Sequence, residues 1–93
     1  KGYWYIKIRK SGLLDYLSKE LINPLVVLFG SFSKAEISQN SDIDIAIKAQ
    51  KKRLDISKFE KKLGRKIQTM FYDEAKINLQ NSILNGFILM GGW

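Results

Sequence analysis

Asp42 and Asp44, two positions apart, are the residues of this chain best suited to chemistry. On an extended strand such positions point the same way, so Asp42, Asp44 and Ala46 share one face while Ile43, Ile45 and Ile47 share the other. Paired carboxylates present hard oxygen ligands, which suit Mg²⁺ or Mn²⁺. Upstream, the apolar run Leu25–Phe29 ends in Gly30-Ser31. A strand that feeds glycine and serine into a helix start sets backbone N–H groups and a hydroxyl where phosphate oxygens can sit. Taken alone, Gly-Ser reads as an ordinary turn and Asp-Ile-Asp as an ordinary strand. Together they join a phosphate cradle to a cation clamp, which points to nucleotide chemistry. Ser41, just before the acids, reads as a residue that tightens the turn.

Composition narrows the rest. The 93 residues contain neither cysteine nor histidine, which removes thiolate chemistry, disulfides, thiolate zinc sites and the usual neutral-pH base. Catalysis would have to rest on carboxylates, hydroxyls, lysines and a hard cation. A chain of this length suits one small domain, residues 1–93, with 1–10 as an N-terminal extension or edge strand. The 45% hydrophobic content is that of a folded domain, and no apolar run approaches the roughly 18 residues that span a membrane. No membrane partner is expected, and with no charged-then-apolar leader a cytoplasmic location is the default expectation.

The net charge of +7 favours anionic partners. Lys48, Lys51, Lys52 and Arg53 follow the aspartate strand, and Lys58, Lys61, Lys62, Arg65 and Lys66 come soon after. Without interleaved aromatics this cluster does not specify nucleic acid. A solvated basic surface and a patch that steers a triphosphate both stay open.

The elements that must position these residues follow from pattern. Residues 3–8 read as a strand, with Tyr3, Trp4 and Tyr5 packing rather than stacking on bases, and Ser11-Gly12 as the break. Leu13, Leu14, Leu17 and Leu21 mark a helix over residues 12–22 that Asn23-Pro24 stops. Leu25–Phe29, apolar throughout, predicts a central strand covered on both faces. A short helix is expected over 32–36 and a second strand over 42–47. Ser57 with Glu60 resembles a capping box, and Gly64 can end the basic helix 57–63. A strand over 67–72 follows, then a helix that Asp73 could cap, carrying Ile77, Leu79, Ile83 and Leu84, and an extended segment at 87–90. Ile83, Leu84, Phe87 and Ile88 are expected in the core. Strands and helices alternating about three central strands predict an α/β or α+β fold, a small mixed sheet flanked by helices.

Gly30-Ser31-Phe32-Ser33-Lys34-Ala35-Glu36 through Ser41-Asp42-Ile43-Asp44 resembles the signature of the DNA polymerase β-type nucleotidyltransferase superfamily, above all its small "minimal nucleotidyltransferase" branch. The resemblance covers roughly residues 13–86. It implies a nucleotidyltransferase fold and Mg²⁺-dependent (or Mn²⁺-dependent) transfer of a nucleoside monophosphate from a nucleoside triphosphate, ATP by expectation, to a hydroxyl. It also implies nucleotide-binding roles for Gly30, Ser31, Lys34 and Ser41, and catalytic, metal-binding roles for Asp42 and Asp44. Small members of the branch pair as antitoxins with helical HEPN toxins, so a protein acceptor is implied. Two positions depart from the pattern. Ala35 stands where the family has glycine, and Gln68 stands where it has a third carboxylate. An amide cannot ionise, so the alternative is a catalytically impaired nucleotide-binding or regulatory module. Asp73 or Glu74, on the far end of the same strand, are candidate substitutes for the missing acid. A basic nucleic-acid-binding domain with an incidental motif is the third alternative.

Overall fold

The computed structural model describes residues 2–30 and 42–93. Helices α1 (Gly2–Ser11) and α2 (Leu13–Glu20) lead into strand β1 (Leu25–Phe29), and β2 (Ile43–Lys48) follows. Helix α3 (Ser57–Leu63) then connects to β3 (Ile67–Phe71), a 3₁₀ turn (Tyr72–Glu74), α4 (Ile77–Leu84) and β4 (Phe87–Met90). The four strands form one sheet in the order β3-β2-β1-β4. β1 runs antiparallel to both β2 and β4, whereas β2 and β3 are parallel, with α3 as their crossover. The mixed sheet with flanking helices is the α+β arrangement expected, with β4 as a full fourth strand. No helix among the described residues is long and apolar enough to cross a membrane.

β1 is the interior strand because it can be buried on both faces. Val26 and Leu28 enter the larger core with Leu13, Leu17, Ile43, Ile45, Ile47 and Phe59. Leu25, Val27 and Phe29 enter a smaller one with Ala46 and Ile83. Each such side chain taken fully from water contributes roughly 1.5–3 kcal/mol. The parity expected for β2 holds: its three isoleucines are fully buried, and Asp44 stands on the opposite face, which Ala46 shares.

Several local expectations are corrected. Residues 3–8 are helix, not strand: Trp4, Ile8 and Ser11 at i, i+4 and i+7 are buried, a helical period that seats α1 on α2 and α3. The alternating look of aromatics and isoleucines fits either period, and tertiary burial decided between them. Ser11-Gly12 is the break expected, now between two helices, with Gly12 at φ 91 and the Ser11 hydroxyl accepting the Leu13 N–H. The capping box is absent, because the Ser57 hydroxyl donates to Asp55 and Glu60 Oε2 accepts the Ile67 N–H at 2.8 Å. Asp73 caps no helix; it lies in the 3₁₀ turn, and α4 begins after Lys76. Of the four expected core residues only Ile83 is buried; Leu84, Phe87 and Ile88 are 50%, 37% and 42% exposed. They sit at the end of α4 and on an edge strand, where no further element covers them. α3 and its left-handed Gly64 end (φ 67) are as expected, and the short helix expected over 32–36 lies outside the described residues.

Candidate functional site

The antiparallel register sets Phe29 opposite Asp44, so the turn that leaves β1 begins beside the second carboxylate. Gly30 continues it at φ 72, in the left-handed region. A Cβ built there would stand 2.5 Å from Asp44 Oδ2. Only a residue without a side chain lets the backbone come this close to the carboxylate, and left-handed φ costs other residues about 1–2 kcal/mol. Gly30 and Asp44 are therefore brought together by geometry. Ser31, Lys34 and Ser41, with Ala35, lie outside the described residues.

Burial first and the nearby Asp42 carboxylate second push the Asp44 carboxyl above the ordinary aspartate value. Two like charges are thus gathered on one partly desolvated sheet face. The parallel register of β2 and β3 then places Gln68 opposite Asp44, and its Nε2 donates to Asp42 Oδ2 at 3.2 Å. The amide satisfies one carboxylate oxygen and adds no charge. Among the described residues no group of three or more acidic or other metal-ligating side chains converges.

Asp73 and Glu74 do not replace the missing acid. In a parallel pair with Ile43 opposite Ile67 and Ile47 opposite Phe71, they follow at the far end of β3. At about 3.3 Å per residue that end is on the order of 13 Å from Asp44. They bind cations there: Lys48 Nζ to Asp73 Oδ1 at 3.0 Å and Lys51 Nζ to Glu74 Oε2 at 2.9 Å.

Lys52 pairs with Glu20 at 2.9 Å, so three of the four cations that follow the aspartates are tied to acids. The cations of α3 instead adjoin α1. Arg65 lies over the Trp4 ring at 5.3 Å, and Lys62 Nζ donates to the Ser11 carbonyl at 3.3 Å. This junction was missed from sequence because residues 3–8 were read as strand; the spacing of Trp4, Ile8 and Ser11 was the available signal.

Residues 13–91 match the family model described as "Polymerase beta, Nucleotidyltransferase". No curated protein matches the chain. A chain in a crystal structure of a toxin-antitoxin with AMP-PNP superposes with a TM-score of 0.72 and 26% identity, over 86% of this chain and 71% of that one. A mutant MntA toxin-antitoxin complex gives 0.71 and 24% over the same shares. The toxin-antitoxin MntA-HepT gives 0.66 and 23%, over 94% of this chain and 72% of that one. The last two comparisons carry fold alone.

Proposed function

Because the chain belongs to the polymerase β nucleotidyltransferase family, we propose that it binds a nucleoside triphosphate with a divalent cation at Asp42 and Asp44 and transfers the nucleoside monophosphate to a hydroxyl acceptor. The observation that carries this reading is the fit of Gly30 against Asp44, with 2.5 Å between the site of a missing Cβ and Oδ2. It joins the phosphate turn to the acidic pair in one site.

The donor set fits a hard cation. Two aspartates on one face, the second with its carboxyl pushed up by burial and by its neighbour, amount to negative charge awaiting a counter-ion. Mg²⁺ or Mn²⁺ held there would neutralise phosphate oxygens and favour loss of pyrophosphate. The chain's own residues orient and hold. Gly30 leaves room for phosphate beside the β1 terminus, and the backbone of the turn supplies N–H donors. The Gln68 amide restrains Asp42 through Oδ2. In the transfer the acceptor oxygen bonds the α-phosphorus, the bond to the bridging oxygen breaks, the hydroxyl proton passes to solvent and pyrophosphate leaves. ATP is the proposed donor and a protein hydroxyl, such as one on a HEPN-type toxin, the proposed acceptor; a toxin-antitoxin with AMP-PNP among the similar structures supports both.

One observation favours a second reading. Gln68 occupies the place opposite Asp44 and no third acid converges among the described residues, which suits a module that captures nucleotide and transfers it slowly. Calorimetry with ATP and Mn²⁺, followed by incubation with labelled ATP and a candidate acceptor, tests both. Binding that Asp42→Asn or Asp44→Asn abolishes, with label passing to the acceptor, is the expected result. Cation-independent binding would defeat the first reading, and binding without transfer that Gln68→Asp restores would establish the second.

A further inference from the structure

We propose that the seam between α1 and α3 is a docking surface for single-stranded nucleic acid, gripped through its phosphates. Two open clefts flank this seam. One, of about 270 Å³, is lined by Lys7, Lys10, Ser11, Lys62 and Leu63. The other, of about 420 Å³, is lined by Ser57, Glu60, Lys61, Gly64, Arg65 and Lys66. Six cations from two helices and a turn thus border one continuous seam, fastened by the Arg65 contact with Trp4 and the Lys62 bond to Ser11.

The carboxylates do not neutralise it. Glu60, the acid in the clefts, has Oε2 engaged by the Ile67 N–H, and among the described residues Lys10, Lys61 and Lys66 make no ion pair. The contrast with Lys48, Lys51 and Lys52, each paired to an acid, is a segregation of charge within one small molecule.

Charge complementarity selects the occupant. Six cations exceed what one bound triphosphate needs, so the ligand is a polyanion. A folded protein partner would need apolar or aromatic anchors at the centre of its contact. α3 and the turn after it expose none: Phe59 and Leu63 are buried, and Trp4 is covered as well. With no exposed ring on which bases could stack, the contacts fall on the backbone, and binding is tolerant of sequence and sensitive to salt. The seam ends beside the acidic pair, since the Lys66 carbonyl accepts the Ile43 N–H at 2.8 Å.

Fluorescence anisotropy with a labelled oligouridylate of about 20 nucleotides tests the proposal. At about 0.7 counterions released per phosphate, four to six contacts predict an affinity that falls roughly 50- to 300-fold between about 50 and 200 mM salt. The double variant Lys10→Glu, Lys61→Glu, one residue from each cleft, is expected to lose tenfold or more. The control Lys19→Glu, Arg53→Glu makes the same change in net charge outside the clefts and is expected to lose less than threefold. Thermal denaturation checks that both fold. No binding by the native chain at low salt, equal losses in the two doubles, or competition by polyglutamate as strong as by the oligonucleotide would each overturn the proposal, the last in favour of an acidic protein. Asp44→Asn separates this surface from the nucleotide site: it is expected to abolish triphosphate capture and leave oligonucleotide binding intact.

Discussion

The two ends of the β2–β3 pair handle charge in opposite ways. Where the strands begin, Asp42 and Asp44 crowd together beside Gly30 and are met only by a neutral amide. Where they end, Lys48, Lys51 and Lys52 are matched one for one with Asp73, Glu74 and Glu20. Exposed pairs of the second kind are nearly neutral in energy and need nothing further. Uncompensated charge of the first kind costs stability unless a ligand supplies the opposite sign. The difference marks which end is built for binding.

The largest way to break this contrast is Gly30→Ala. The new Cβ meets Asp44 Oδ2 at 2.5 Å in a left-handed residue, so the acid must move. Calorimetry should show at least a tenfold loss of cation-dependent nucleotide affinity, and backbone strain of about 1–2 kcal/mol should lower the melting temperature by about 10 °C. Native affinity in the Gly30→Ala variant would detach the glycine from the site.

Asp44→Asn sharpens the contrast through pH. A carboxyl held above its unfolded value of 3.8 favours the fold fully below that value, and the contribution is lost as pH rises through the folded value. The native chain thus carries a penalty at pH 7 that asparagine lacks. Differential scanning fluorimetry should find the variant about 1–3 °C more stable at pH 7, the gap closing as pH falls toward 4. A less stable variant at pH 7 would mean that the Asp44 charge already has a partner.

The smallest effect belongs to the paired end. Lys51→Ala removes an exposed ion pair and should cost less than about 1 kcal/mol, a cost that salt erases, with nucleotide affinity unchanged. Urea denaturation at low and high salt reads it. A loss of nucleotide binding would place that end in the site after all.

How much of this was legible in sequence follows from which interactions are local. β1 was visible because five consecutive apolar residues sit between Pro24 and Gly30, and the two faces of β2 followed from alternation. The pairing of Asp42 with Asp44 needed only strand parity. The steric fit of Gly30 to Asp44, by contrast, depends on the β1–β2 register, which residue spacing alone does not encode. Gln68 was placed on the correct strand face, yet its bond to Asp42 required knowing that β2 and β3 are parallel and adjacent. The helical nature of residues 3–8 was obscured because aromatics and isoleucines satisfy both periods, and only packing against α2 and α3 decides. Ser57 and Glu60 had the spacing of a cap, but a backbone N–H at Ile67 offered Glu60 a stronger local claim.

The strand order has a consequence for biogenesis. Val26 pairs with Met90, so β1 keeps a bare outer edge while everything from β2 to α4 is being synthesised. The acidic pair and its glycine, drawn from β1 and β2, can form well before β4 emerges from the ribosome to close that edge. During this interval the nascent chain exposes a row of ungripped peptide groups beside an apolar strand, a template for misassembly with neighbouring copies on the same messenger. Slow translation of the segment carrying β4 should therefore favour aggregates over the finished domain.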